Sequence, residues 1–306
     1  MMPRMLRKEP CGIVTAVVTP FGEDEAIEYG LWSSVIEYQI ASGVDGLFPV
    51  GSGGEFYAMS IEERKEAAGF VLRVVNGRIP VYVQIGAVTT RDSIALARHA
   101  EDHGADFLVV ITPYYLRPTA DEMVRHFSEI CSGVNLPVFA YNIPGRTGVE
   151  LTPATMRRII ESNWNLCGLK DSSGKIELVP DWRALGLKVF MGSDQIIVPA
   201  LELGCVGAVA ACANVSPKLF VQIFQAYTRG NAEEAARLQQ LAADLRVALR
   251  LSAAHPLIKE AMSLAGLPGG IARRPAGIAS SEEMEGLHSI IEKLRINNLL
   301  PAQDLH

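Results

Sequence analysis

The sequence has few cysteines, no long apolar run and no excess of positive charge. Its five cysteines are odd in number, widely spaced and never arranged as C-x-x-C, which argues against a disulfide framework or a zinc ribbon and fits a reducing cytoplasm. No apolar run reaches the ~18 residues that cross a bilayer. The net charge of -6 offers no broad positive field to nucleic acid or anionic lipid. We therefore expect a cytoplasmic protein that binds neither nucleic acid nor membranes.

What the sequence does contain is a repeat of short apolar runs. Hydrophobic residues make up 49% of the 306 residues and charged residues 20%, as in an ordinary globular protein. Eight runs rich in β-branched and apolar residues occupy 12–21, 46–51, 81–86, 107–113, 137–144, 167–173, 188–194 and 207–214. Amphipathic stretches separate most of them, and the runs do not alternate, as expected of parallel strands covered on both faces. The pattern predicts an α/β protein, a (β/α)8 TIM barrel.

Helix start signals support this interpretation. Ser60 with Glu63 and Thr119 with Glu122 form capping boxes, and prolines follow Thr152 and Ser216 at first helical positions. Beyond the eighth strand only helices are predicted, at 217–229, 231–250, 255–266 and 281–295. We therefore divide the chain into a barrel core over 1–216, through strand 8, and a part over 217–306 that holds the last barrel helix and a C-terminal helical extension.

Lys170 is the most unusual residue at the strand ends, where a barrel carries its active groups. Alternation along "LCGLKD" (166–171) directs Gly168 and Lys170 to one face and Leu169 and Asp171 to the other. An ammonium facing the barrel interior loses hydration, and the usual relief is a lowered pKa that leaves a nucleophilic amine. Such an amine forms a Schiff base with a ketone. The alternative is a lysine that extends to solvent.

Other polar groups follow neighbouring strands. "GSGGEF" (51–56) allows backbone N–H groups to converge on an anion and matches neither a Walker loop nor a dinucleotide fingerprint. A small carboxylate suits it better than a nucleotide, although a tight turn alone also requires glycine. Tyr141 at the end of strand 5 and Tyr114 and Tyr115 at the end of strand 4 could transfer protons, although a lone tyrosine at a strand end is more often a core residue. Arg146 could hold a carboxylate, and the alternative, which is more common for an isolated arginine, is a surface salt bridge. The six histidines form no metal-binding pattern, so we predict no metal.

Three segments together carry a family resemblance. "GSGGEFYAMSIEER", "YNIPGRTG" and "GLKDSSG", in this order after strands 2, 5 and 6, resemble the family of dihydrodipicolinate synthase and N-acetylneuraminate lyase. The resemblance extends from "VTPF" (18–21) to the helices after 214. It implies a homotetrameric lyase that condenses or cleaves a 2-oxo acid, pyruvate, with an aldehyde through a lysine Schiff base. It also implies that no metal or organic cofactor is required.

The resemblance assigns catalytic roles to four residues. Lys170 matches the Schiff-base lysine, and Tyr141 matches the tyrosine that relays protons to it. Ser52 matches the hydroxyl residue of the same relay. Tyr115 matches the tyrosine that reaches a neighbouring subunit's site across the tight dimer interface.

The resemblance also assigns substrate-binding roles. The amides of Ser52 and Gly53 match the pocket for the pyruvate carboxylate, with the backbone of Val209 beside them. Arg146 matches the arginine that synthases use for the carboxylate of aspartate semialdehyde.

Two signals disagree on the aldehyde. Ser52 and Gly53 stand where synthases commonly have two threonines, which favours a 2-keto-3-deoxy sugar acid (gluconate) or 4-hydroxy-2-oxoglutarate aldolase. Arg146 favours a dihydrodipicolinate synthase-like activity on pyruvate and aspartate semialdehyde, which we adopt. The remote alternative is a non-catalytic regulator that binds a 2-oxo acid. Loss of the lysine or the tyrosine would be expected in such a protein, whereas Lys170 and Tyr141 are both present.

The resemblance further bears on control by lysine. Lysine-inhibited synthases bind the inhibitor between subunits with polar groups, and of those positions only Tyr114 clearly matches. The other positions are occupied by Phe56, Tyr57, Ile61, Arg64 and Val88. We therefore predict that free lysine does not inhibit this protein.

Overall fold

Eight parallel strands form a barrel, as the repeated runs predict. The structure is a computed structural model that describes residues 9–249, 256–277 and 279–301. The strands are β1 (Gly12–Thr15), β2 (Gly46–Leu47), β3 (Tyr82–Gln84), β4 (Phe107–Ile111), β5 (Val138–Asn142), β6 (Leu166–Asp171), β7 (Lys188–Met191) and β8 (Gly207–Ala210). Their spatial order follows the chain, with β8 beside β1. A parallel bridge between Leu47 and Val81 joins β2 to the start of β3 and closes the ring.

Most of the strands are shorter than the apolar runs that predict them. The ladder of β1 ends at Thr15, although its run continues to 21, and β4 ends at Ile111. Beyond those points the chain turns into the loops at the carboxyl ends of the strands, where strand pairing stops. Tyr114 and Tyr115 therefore lie in the loop after β4 and not at the end of the strand itself.

Helices lie between the strands and after β8, and those that follow Ser60, Thr119, Thr152 and Ser216 start where the sequence predicts. They are α1 (Tyr29–Ala41), α2 (Ile61–Val75), α3 (Thr90–Asp102), α4 (Ala120–Ser132), α5 (Pro144–Thr147), α6 (Pro153–Ser162), α7 (Val179–Ala184), α8 (Ile197–Glu202), α9 (Pro217–Thr228), α10 (Ala232–Ala248), α11 (Pro256–Leu264) and α12 (Ser281–Ile296). The capping boxes of Ser60, Thr119 and Ser280 are all formed. Residues 250 and 255, which the predicted helices include, lie outside the described residues. Among the described residues no helix is long and apolar enough to cross a membrane.

An apolar layer covers each of the two faces of the strands. One fills the space between the strands and the surrounding helices and includes Leu169. The other fills the barrel interior and includes Phe139 and Tyr141. Gly168 is needed on the interior face, because an added Cβ atom would lie 2.1 Å from the Phe139 ring. The next interior position on β6 is that of Lys170.

The helical extension is bound to the barrel by charged groups as well as by apolar contacts. On α11, Lys259 is 2% exposed, and its ammonium lies 2.6 Å from a carboxylate oxygen of Glu55, which is fully buried. Lys259 also donates to the carbonyl oxygens of Thr19 and Ile271. The extension thereby reaches the glycine-rich loop after β2.

Candidate active site

Lys170 lies inside the barrel near the carboxyl end of β6 and is 6% exposed. Its Nζ atom lies 4.2 Å from the centroid of the Phe48 ring and 4.0 Å from that of Tyr141. Burial lowers the pKa of Lys170, and the attraction of Tyr141 offsets part of this effect. The structure therefore favours a larger fraction of neutral amine than an exposed lysine has.

Tyr141 is the neighbour of Lys170 on the adjacent strand, where the β5–β6 register pairs the two residues. Burial raises the pKa of the Tyr141 phenol, but the Lys170 ammonium and hydrogen bonds that involve Ser52, Lys170 and Ser172 outweigh it, so the pKa is lowered. Strand pairing and these hydroxyl contacts thus connect the lysine with two serines. Such a chain can pass a proton between the lysine and a bound molecule.

The glycine-rich loop after β2 has an uncommon backbone. Val50 and Glu55, which flank it, have φ angles of 47° and 57°, in the left-handed region that side chains other than glycine rarely adopt. Gly53 faces the end of β1, where an added Cβ atom would lie 3.1 Å from the carbonyl oxygen of Ala16. Such strained backbone is common at functional sites and persists because surrounding contacts hold it. Here the ion pair of Glu55 with Lys259 supplies one such contact.

The loop leaves donors available for an anion. Within the described residues, the amide groups of Ser52 and Gly53 donate no hydrogen bond to the protein. Both residues line the cavity that contains Lys170. Unpaired backbone N–H groups that face a cavity can bind a carboxylate.

The cavity has a volume of about 190 Å³. This equals roughly six water volumes of ~30 Å³, enough for a three-carbon oxo acid. The structure brings six of the predicted site residues to its wall: Ser52, Gly53, Tyr141, Arg146, Lys170 and Val209. Arg146 lies on the short helix α5, directly after β5. The cavity therefore lies at the carboxyl ends of the strands, as a barrel enzyme requires.

Tyr115 is the predicted site residue that does not line this cavity. Its side chain is 93% exposed, and its φ angle of 73° lies in the left-handed region. Within one chain the structure therefore separates Tyr115 from Lys170. The Tyr115 ring is therefore at the surface of its own chain.

Sequence reasoning missed several residues of the cavity wall, among them Ser172, Ser173, Ser193 and Arg246. Ser172 lines the cavity and contacts the Tyr141 phenol, and the period-two rule that places Lys170 also points to it. Arg246 lines the cavity from α10 in the helical extension. No local pattern signals Arg246, because its position depends on how α10 packs against the barrel.

Side chains of the types that bind metal ions are not clustered in the described part of the chain. No set of three or more histidine, cysteine, aspartate and glutamate side chains there is arranged to hold a metal ion. His99 and His103, four residues apart, have stacked rings whose centroids are 3.9 Å apart.

Comparison with known proteins gives concordant results. The family model described as "Dihydrodipicolinate synthetase family" matches residues 9–294. The 4-hydroxy-tetrahydrodipicolinate synthase of Bartonella quintana is 36% identical over 267 residues, which are 86% of this chain and 91% of that protein. An uncharacterised DapA-like lyase of Halobacterium salinarum is 35% identical over 270 residues, 86% of this chain and 87% of its own.

Solved structures agree in fold. The 4-hydroxy-tetrahydrodipicolinate synthase of Methylacidiphilum fumariolicum SolV superposes with a TM-score of 0.90 at 30% identity, over 96% of this chain and all of the other (100%). YagE, a prophage protein of E. coli K12 solved in complex with pyruvate, has a TM-score of 0.89 at 32% identity, over 93% of this chain and 98% of its own.

Proposed function

The chain belongs to the dihydrodipicolinate synthetase family of lyases, and we propose that it joins pyruvate to aspartate semialdehyde through a Schiff base on Lys170. The observation that carries the proposal is a lysine buried inside the barrel, with a lowered pKa, beside the phenol of Tyr141. A structural lysine at this position would be expected to pair with a carboxylate. No aspartate or glutamate is among the described residues of the cavity wall.

The first half of the reaction forms the covalent intermediate. The neutral Nζ atom of Lys170 attacks the keto carbon of pyruvate, and a proton passes from the nitrogen to the former keto oxygen to give a neutral carbinolamine. Tyr141, linked to Ser52, donates a proton to the departing hydroxyl group, and water leaves as the iminium forms. The amides of Ser52 and Gly53, with the backbone of Val209, hold the pyruvate carboxylate throughout.

The second half forms the new carbon–carbon bond. The iminium withdraws electrons, so that a base can remove a proton from the pyruvate methyl group and leave an enamine. The enamine carbon attacks the aldehyde carbon, whose oxygen takes up a proton. Water then hydrolyses the regenerated iminium, which releases the product and restores the Lys170 amine. The lysine itself supplies the electron sink, so this chemistry requires no metal or organic cofactor.

Arg146 supports an acceptor that carries a carboxylate, because a guanidinium binds a carboxylate through two parallel hydrogen bonds. A second candidate function is a 2-keto-3-deoxy sugar acid or 4-hydroxy-2-oxoglutarate aldolase. The serine hydroxyls of Ser172, Ser173 and Ser193 in the cavity wall favour it, since they suit an acceptor with hydroxyl groups.

A panel of aldehydes distinguishes these functions. Purified protein with pyruvate is assayed with aspartate semialdehyde, glyceraldehyde, N-acetylmannosamine and glyoxylate. The proposal predicts the highest kcat/KM with aspartate semialdehyde. Highest turnover with glyceraldehyde or glyoxylate would instead establish the second candidate function.

We also propose a homotetramer in which Tyr115 completes the site of a neighbouring subunit. Its exposed side chain and left-handed backbone support this role. Tyr115→Phe and Lys170→Ala proteins, each poorly active, should regain activity when mixed, because some exchanged subunits then form one intact site. No recovery despite subunit exchange proven by mass spectrometry would confine Tyr115 to its own chain.

A further inference from the structure

Arg246 enters the wall of the Lys170 cavity from the helical extension, where it lies in the last turn of α10. Its side chain is 27% exposed, and its Nη1 atom donates to Oδ2 of Asp194 at 3.1 Å. Asp194 is 2% exposed and is not part of the cavity wall. The pair therefore places a guanidinium at the cavity and its counterion behind it.

Several further bonds fix this pair in place. Oδ1 of Asp194 accepts a hydrogen bond from the amide of Cys212. The backbone carbonyl of Asp194 accepts one from Nε2 of Gln239 at 2.9 Å. The Oε1 atom of Gln239 in turn accepts from the amide of Val198. These contacts attach α10 to the segments that follow β7 and β8. A donor held in this way loses little conformational entropy when it binds a ligand.

The charges around the cavity indicate which ligand suits this donor. Lys170, Arg146 and Arg246 line it, whereas no acidic side chain does so among the described residues. In the proposed reaction, Lys170 becomes the Schiff base and the loop amides bind the pyruvate carboxylate. Arg246 has no part in holding pyruvate, and its guanidinium lies at the same cavity. A neutral acceptor would desolvate the Arg246 guanidinium without offering it a charged hydrogen-bond acceptor beyond Asp194, while a carboxylate accepts paired N–H bonds.

The geometry points to Arg246 as a specificity-determining residue that binds the carboxylate of an acidic acceptor aldehyde, with Asp194 as its positioning residue. This inference rests on the proposed Schiff-base function and deepens it. The cavity selects aldehydes that carry a carboxylate over neutral ones such as glyceraldehyde, and selection depends on a residue of the helical extension.

The test compares two aldehydes that differ in charge. Succinic semialdehyde and butanal have the same number of carbon atoms, but one ends in a carboxylate and the other in a methyl group. Their kcat/KM values are measured at saturating pyruvate for the wild-type protein, Arg246→Gln, Arg246→Lys and the control Arg237→Gln. Arg237 lies on the same helix and pairs with Glu234 at the surface. The ratio of the two values within one preparation does not depend on the fraction of folded enzyme.

We expect the wild-type protein and Arg237→Gln to prefer succinic semialdehyde strongly. Arg246→Gln should lower that preference about 10- to 100-fold, the usual effect of losing hydrogen bonds to a charged group. The preference of Arg246→Lys should lie between those of the wild-type protein and Arg246→Gln, because lysine keeps the charge but not the planar pair of donors. A wild-type ratio near one, or an unchanged ratio in Arg246→Gln, would overturn the inference.

A second readout separates this inference from the proposed function. Each preparation is treated with pyruvate and borohydride, and the adduct on Lys170 is quantified by mass spectrometry. An adduct in every variant together with an unchanged aldehyde ratio rejects the role of Arg246 and leaves the Schiff base intact. No adduct in the wild-type protein rejects the proposed function itself.

Discussion

Tyr141 and Lys170 face each other across neighbouring strands of the barrel, with the Lys170 Nζ atom 4.0 Å from the centroid of the Tyr141 ring. The same phenol interacts with the hydroxyl groups of Ser52 and Ser172. The lysine that would carry the substrate is thus in direct contact with the group that would supply and remove its protons.

Replacing Tyr141 by phenylalanine should therefore affect the chemical step more than binding. Loss of a positioned acid–base group typically lowers a rate about 10²- to 10⁴-fold. We expect kcat to fall within this range and KM for pyruvate to change little, as measured by steady-state kinetics. A rise in KM with unchanged kcat would show that the phenol binds substrate and does not relay protons.

The pH dependence of Schiff-base formation should reflect the pKa of Lys170. Burial lowers this pKa from its ordinary 10.5, and Tyr141 raises it in part. Only the neutral amine is nucleophilic, so kcat/KM for pyruvate should rise with pH and level off below pH 10.5. In Tyr141→Phe the raising effect is lost, so the rising limb should move to lower pH. Tyr227→Phe, on the outer helix α9, is the control and should leave it unchanged.

The buried ion pair of Glu55 and Lys259 should contribute strongly to stability. Lys259→Met leaves a carboxylate buried without its partner, which typically costs about 3–5 kcal/mol. Lys65→Met is the matched control, because Lys65 pairs with Glu62, whose side chain is 76% exposed. Such exposed pairs contribute at most about 1 kcal/mol. Urea unfolding measures the free energy of unfolding of both variants. An equal decrease in Lys259→Met and Lys65→Met would contradict the assigned role of Lys259.

Free lysine should not inhibit the enzyme. Arg64, at one of the positions that would contact it, is buried, and its guanidinium lies 5.1 Å from the Phe56 ring centroid. Burial lowers the pKa of Arg64 to about 10, which leaves it cationic at neutral pH. A lysine ligand brings a carboxylate and two ammonium groups. Arg64 can attract the carboxylate but offers the ammonium groups no hydrogen-bond acceptor, and neither does the exposed side chain of Val88. Saturable inhibition in a lysine titration to millimolar concentration would contradict this prediction.

Much of this arrangement could be predicted from the sequence, because it depends on local rules. The apolar runs and capping boxes predict the strands and helix starts, and alternation on β6 predicts the interior position of Lys170. Arg246 could not be predicted, since it reaches the cavity only through the docking of α10 on Asp194. The contact of Glu55 with Lys259 likewise joins residues far apart in the chain.

The left-handed backbone conformations near the site could not be predicted from the sequence either. Val50 and Tyr115 are residue types that avoid positive φ angles, so no propensity predicts their left-handed conformations. Only the surrounding tertiary structure can impose them. Val50 precedes the glycine-rich loop of the candidate site, and Tyr115 lies in the loop after β4.

The most direct test of the account is to trap the covalent intermediate. The purified enzyme is incubated with pyruvate, reduced with borohydride and digested, and the modified side chain is located by tandem mass spectrometry. Lys175 serves as an internal control, because it is exposed and paired with Glu150. We predict loss of activity and a carboxyethyl group on Lys170 alone. An adduct on Lys175, or inactivation without any adduct on Lys170, would contradict the central claim.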